Sequence, residues 1–161
     1  MVARPAAAFA EWPMWEWWQQ GRLSVGIDDA VGWLSELGAT GRVPEWSDSV
    51  RTRTARGLLS TLRDFGVLAG VAKGHRKEIA RPAMTPRGFA YVAWREHEQG
   101  ASSRALANGG VWQRWLLDDS AVEDLFVRSA RLGVLRFSRA GSAVRLDWLV
   151  GRLEEVTGAA A

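Results

Sequence analysis

The sequence predicts a mainly α protein: a compact helical chain with two short β-hairpins. Three observations carry this expectation. Apolar residues recur at helical spacing through most of the chain, the signature of helices that bury one face. Two stretches, 66–84 and 134–148, break that spacing with glycines and short runs of β-formers, which suits strands joined by tight turns. The third is a passage that occurs twice, "LLSTLRDFGVL" at 58–68 and "LFVRSARLGVL" at 125–135.

The elements follow in order. "EWPMWEWWQQG" reads as a short helix, with Pro13 in its first turn and Gly21 as its stop. Trp17, Met14, Trp18 and Trp15 share one arc, opposite Glu16, Gln19 and Gln20. Such tryptophans can stack nucleobases or anchor a helix on a core. No basic residue lies among them, so the anchor is the expectation. "IDDAVGWLSELG" is a second helix, capped by Asp28 or Asp29, with Ala30, Val31, Trp33, Leu34 and Leu37 inward and Gly38 at its end. The loop "GATGRVPEWSDS" leads to a third helix, capped by Ser47 or Ser49. Its Ala55, Leu58, Leu59, Leu62 and Phe65 fall on one side, and Arg53, Arg56 and Arg63 fall on another.

Val67 and Leu68, then Ile79, form two short strands around a tip near Lys73 and Gly74. Thr85 and Pro86 start the next helix, with Phe89, Val92 and Ala93 as its buried stripe. Helix, short strand, glycine-containing tip and short strand is the order of a winged-helix unit. The repeated passage predicts a second one. Leu58 matches Leu125, Leu59 matches Phe126, Phe65 matches Leu132, and Gly66-Val67-Leu68 matches Gly133-Val134-Leu135. Ser120 and Glu123 fit a capping box at the start of the second copy. Beyond it, Leu135 and Phe137 face Val144, Leu146 and Trp148 across a turn at "RAGS". Asp147 caps a last helix, "WLVGRLEEV". The repetition is either internal kinship or two similar solutions to one packing problem. The expected organisation is a Trp-rich helical segment at 1–49, a basic helix and wing-like unit at 50–100, and a second helix–hairpin–helix unit at 101–161. All three belong to one compact protein.

Several chemistries lack their residues. The 161-residue chain has no cysteine, hence no disulfide, thiolate or cysteine-held zinc. Its two histidines, His75 and His97, match no metal-ligand spacing. The pairs Asp28/Asp29, Asp118/Asp119 and Glu154/Glu155 suit caps or solvated helix ends rather than acid–base work. No nucleophile elbow occurs, and "GVAKG" lacks the length and final Lys-Ser/Thr of a phosphate-binding loop. The expectation is a non-enzymatic protein with no metal and no small-molecule cofactor. No apolar run approaches the roughly 18 residues of a membrane span, and "MVARPAAAFAEW" is not a secretory signal. A cytoplasmic protein with no membrane partner is expected.

The charge is unevenly placed. Residues 50–95 hold ten Lys/Arg and two acids, +8, whereas the remainder holds eleven and sixteen, −5. Such a patch creates a local field that the net +3 conceals. A wing carrying Lys73, Arg76 and Lys77 beside a helix face of Arg53, Arg56 and Arg63 suits phosphate contacts. Arg51, at the start of the same helix, could reach the major groove with Arg53 and Arg56. His75, Arg81 and Arg87 complete the nucleic-acid-binding set. The alternatives are a solvated charged loop and a surface for an acidic protein partner.

The stretch from Thr54 to Leu149 resembles the BrxA family, small proteins of bacteriophage-exclusion (BREX) defence islands. The resemblance is carried by "LLSTLRDFGVL", "ARPAMTPRGFAYV", "VWQRWLLDDSAVEDLF", "GVLRF" and "VRLDW". It implies a mainly helical, non-enzymatic accessory protein. Its neighbours in such an island include an adenine-specific DNA methyltransferase, an alkaline-phosphatase-like protein and an ATPase. It also implies a nucleic-acid partner, and other BREX proteins as further partners. The family supplies no binding motif, so the ten residues named above come from charge alone. The expected function is DNA binding, DNA rather than RNA. The rival readings are a module that docks on another defence subunit through exposed tryptophans, and a transcription regulator.

Overall fold

The computed structural model describes residues 13–70 and 75–158, most of them helical. The expected tip at Lys73 and Gly74 lies outside the described residues. The chain divides into two units: one holds the chain up to Pro82 with Gln113–Leu116, the other Ala83–Trp112 and the chain from Leu117 onward.

The first unit runs α1 (Trp15–Gln19), β1 (Ser24–Gly26), α2 (Ile27–Ala39), α3 (Asp48–Asp64), β2 (Leu68–Ala69) and β3 (Arg76–Ile79). β3 lies between β1 and β2, antiparallel to both, with Val25 opposite Lys77 and Leu68 opposite Ile79. β1 is too short to show alternation, so it carries no strand signal in the sequence. Leu58, Leu59 and Leu62 of α3 share one core with Trp33 and Leu34 of α2 and with Val25, Leu68 and Ile79 of the sheet. Each fully buried aliphatic side chain of this kind contributes about 1.5–3 kcal/mol. Trp15, Trp17 and Trp18 pack against that core half-buried. Their place is that of an anchor.

Two local expectations are corrected here. Phe65 is 74% exposed, because α3 ends at Asp64 and Gly66 turns the chain at φ +74°, taking Phe65 off the helical stripe. The N-cap of α2 is Gly26, not Asp28 or Asp29. Asp29 stands a turn inside the helix and accepts a 2.7 Å hydrogen bond from the Gly26 N–H. Ser47 does occupy the N-cap position of α3.

The second unit contains α4 (Pro86–Glu98), α5 (Ser103–Asn108), a 3-10 turn that begins at Gly110, α6 (Asp119–Ala130), β4 (Leu135–Ala140), β5 (Ala143–Trp148) and α7 (Leu153–Thr157). Thr85 caps α4, accepting from the Gly88 N–H at 3.0 Å, with Pro86 in the first turn. Phe89 stacks on Trp112 with centroids 4.2 Å apart and meets Phe126 edge-on at 4.7 Å. Phe126 in turn stacks on Phe137 of the hairpin at 4.9 Å. That ladder of rings ties α4, α6 and β4 together. The hairpin has the expected register, Leu135 opposite Trp148 and Phe137 opposite Leu146. The cap of α6 is Asp118, accepting from Ala121 N–H at 2.8 Å. Ser120 therefore does not cap it, and Glu123 bonds Arg139 at 2.9 Å instead. Asp147 is a strand residue held by Arg145 at 2.7 Å, and α7 starts later, after Arg152. Strand pairing with Arg136 places Asp147 too early to cap.

The repeated passage adopts one conformation twice. Leu58 and Leu125, Leu59 and Phe126, Val67 and Val134, Leu68 and Leu135 are all buried, whereas Phe65 and Leu132 are exposed. Gly66 and Gly133 both take left-handed backbone, φ +74° and +76°. Each following hairpin then closes on the matching valine: Ala80 N–H donates to Val67 O at 2.9 Å, and Leu149 N–H to Val134 O at 3.0 Å. Neither glycine has a neighbour where a Cβ would stand, so only backbone strain opposes a side chain there. Gly66→Ala and Gly133→Ala are each expected to cost about 1–2 kcal/mol; urea unfolding of each variant measures this.

Candidate nucleic-acid interface

With Leu58, Leu59 and Leu62 committed to the core, helical spacing turns Arg53, Arg56, Ser60 and Arg63 to the opposite flank of α3. Arg53 and Arg56 are exposed, and Arg63 keeps 28% of its side chain accessible. In β3 the alternation puts Lys77 and Ile79 on the inner face and Arg76 and Glu78 on the outer one. Lys77 is only 6% exposed. Its stem is buried beside core residues, as long cationic side chains allow.

The two segments meet in an open cleft of about 520 Å³, lined by Ile27, Arg56, Leu59, Ser60, Arg63, His75 and Lys77. None of these described lining residues is acidic. Arg63 donates to Ser60 Oγ at 3.3 Å and to Asp64 Oδ1 at 2.8 Å, which fixes its guanidinium and shares its charge. Helix and strand thus bring four of the ten expected residues to one concavity. Ser60, Ile27 and Leu59 were not expected there. Ser60 could have been found from the sequence, since it stands one turn from both Arg56 and Arg63 on the same helix.

The other expected residues are placed differently. Arg53 lies on the cationic flank outside the cleft lining. Arg51 pairs with Asp48. Arg76 donates to Ser24 O at 2.9 Å and Ser24 Oγ at 3.0 Å, and pairs with Asp29 at 3.3 Å. Arg81 donates to Leu116 O at 3.0 Å and lies 5.8 Å from the Trp18 ring centroid. Arg87 belongs to the second unit, where it donates to Thr157 O at 2.8 Å at the C-terminal end of α7, a favourable place for a cation. Arg76, Arg81 and Arg87 are engaged by groups distant in sequence, and Arg51, like Arg63, by an acid of its own helix. Lys73 lies outside the described residues.

A second groove in the first unit has the opposite sign. Its roughly 320 Å³ is lined by Glu16, Asp28, Asp29 and Glu36 with Trp17 and Trp33. Carboxylates around the Trp17 and Trp33 indoles repel phosphate-linked bases, so this groove is a poor stacking platform. The positions of α6 that match Arg53, Arg56, Ser60 and Arg63 hold Ser120, Glu123, Val127 and Ala130. The second copy therefore lacks this flank of cations, although it carries Arg128, Arg131 and Arg136 at other positions. No family model, curated protein or solved structure matches this chain.

Asp29 governs how Arg76 is held. Partial burial pushes its carboxyl up, but the Gly26 N–H, the hydrogen bond and charge of Arg22, and the charge of Arg76 outweigh that and hold it below the ordinary carboxylate value. The stability this supplies is present above the unfolded pKa of about 3.9 and is lost as pH falls through the lower folded value. Asp29→Ala should therefore destabilise the fold by about 1–2 kcal/mol at neutral pH. The deficit should shrink towards zero below about pH 4, as read from urea unfolding across that range.

Proposed function

We propose that the chain is a non-enzymatic DNA-binding protein whose first unit meets the phosphate backbone with the outer flank of α3 and the start of β3. One observation carries this reading: Arg56 and Arg63 from the helix and His75 and Lys77 from the strand segment line one cleft without a described acid among them. Cations gathered in this way displace the counterions of several phosphates at once, which gives salt-sensitive affinity without reading a base.

The element order supports the same reading. We read the three helices interleaved with three strands, with β3 central in the sheet, as a winged-helix arrangement. α2 and α3 then form the helix pair, and α3 is the helix offered to the major groove. Arg53, near its N-terminal end and exposed, is placed to reach into that groove. A helix fits the major groove of DNA but not the deep, narrow one of RNA duplexes, which favours duplex DNA over duplex RNA as the ligand. The second unit repeats the helix and hairpin, but at the positions matching Arg53, Arg56 and Arg63 it holds Ser120, Glu123 and Ala130, so α6 does not present the same cationic flank.

The resemblance of Thr54–Leu149 to the BrxA family supports an accessory role in a BREX phage-defence system, beside its other proteins in the cytoplasm. The gene neighbourhood tests that part.

The DNA contact is tested by titrating a labelled duplex at several salt concentrations. Wild-type affinity should fall linearly with salt on logarithmic axes. Arg53→Glu with Arg56→Glu should bind at least about tenfold more weakly and lower the slope by about two. Both side chains are exposed, so thermal unfolding should not change. Equal affinity and equal slope in the double variant would remove α3 from the interface.

A further inference from the structure

Arg56, Arg63 and His75 line one cavity, with Lys77 buried at its wall, and a terminal phosphate, with up to about two charges, engages more of them than a single diester does. The cleft reaches Lys77, which is 6% exposed, whereas Arg53 outside it stands on the open flank of the helix. The cations at its mouth can meet an internal phosphate, and the same cleft has room for a terminal phosphate with its nucleoside. The walls are mixed as well. Ile27 and Leu59 offer apolar surface next to the Ser60 hydroxyl and the cations. At about 520 Å³ the space is far larger than a bare phosphate and falls in the range of small-ligand pockets.

From this we infer that the cleft is a seat for a phosphomonoester carried on a nucleoside, the terminal phosphate of a DNA strand or of a free nucleotide. The inference rests on the nucleic-acid reading of the same cleft and narrows it. A monoester phosphate carries a charge of about −1.5 to −2 and three acceptor oxygens at neutral pH. Arg56, Arg63 and His75 supply donors from two sides, with Ser60 between the arginines. Arg63 is already oriented by Asp64 and Ser60, so little side-chain freedom is lost on binding. The sugar of the terminal nucleotide meets Ile27 and Leu59. Arg53 remains outside, for the duplex that follows the end.

The test compares one hairpin DNA in two forms, with a phosphate or with a hydroxyl at its terminus, and a covalently closed circular duplex that has no end. A nucleoside monophosphate serves as competitor. The end-phosphorylated hairpin should bind about tenfold more tightly than the hydroxyl form. Arg56→Gln should abolish that difference. Because Lys77 is buried, Lys77→Met is used only if its thermal unfolding matches wild type, and Arg56→Gln decides the matter otherwise. Competition by the free monophosphate at comparable concentration identifies a small-nucleotide site; competition only by phosphorylated strands identifies an end-binding site. Both outcomes support the seat. Equal binding of the two hairpin forms, together with retained binding of the circle, overturns the seat and leaves the backbone reading intact. Failure to bind any of the DNAs overturns both.

Discussion

The pairing of Ile79 with Leu68 is the contact on which the candidate site depends. Side chains alternate faces along a strand, so placing Ile79 in the core obliges Lys77 to share its face and sends Arg76 and Glu78 outward. A slip of one residue would exchange them: Arg76 would turn inward, and Lys77 would stand away from α3. The short strand is held in this register from both edges, since β1 pairs Val25 with Lys77 and β2 pairs Leu68 with Ile79. α3 answers from the other side. Its leucines fill the core against Ile79 and Val25, and the helical period then leaves no choice about where Arg56 and Arg63 emerge. The cationic cleft is a consequence of apolar packing rather than an independent feature.

The same logic separates cations that are committed to the fold from those that are not. Arg76 emerges on the outer face of β3, where Asp29 and Ser24 engage it. Arg51 has Asp48, and Arg81 and Arg87 satisfy carbonyl oxygens of Leu116 and Thr157. In a chain with 21 basic and 18 acidic residues, local charge density in the sequence overstates what a ligand meets. The flank of α3 keeps Arg53 and Arg56 exposed, while Arg63 is shared with Asp64 and Lys77 is buried. The two grooves of the first unit sharpen this division, one acidic and aromatic, the other basic with an aliphatic wall.

Much of the architecture was legible because it rests on period and turn chemistry. The stripe through Ala55, Leu58, Leu59 and Leu62 identified α3, and Thr85-Pro86 marked the start of α4. The alternation of 135–148 identified a hairpin whose register follows the sequence pattern. The failures share a cause. Phe65, Asp29, Ser120 and Asp147 were assigned by local rules at element ends, where a neighbouring residue could satisfy the same rule. Gly26 took the cap of α2, Asp118 took the cap of α6, and strand pairing claimed Asp147. β1 was invisible because three residues cannot display a period. The cationic set was legible as a segment but not as a site. Which arginines an acid or a carbonyl would claim depends on contacts such as Arg76 with Asp29, distant in sequence.

The repeated passage shows the same distinction, since its backbone plan recurs while the cations of the α3 flank do not. Leu58-Leu59 and Leu125-Phe126 bury the same way and Gly66 and Gly133 turn the same way, yet Arg56 is matched by Glu123 and Arg63 by Ala130. The most direct measurement is amide chemical-shift mapping during titration with duplex DNA. The account predicts perturbations concentrated at Arg53, Arg56, Ser60, Arg63, His75 and Lys77, with α6 and the β4–β5 hairpin unmoved. Shifts centred on the second unit, or none on α3 at saturating DNA, would contradict it.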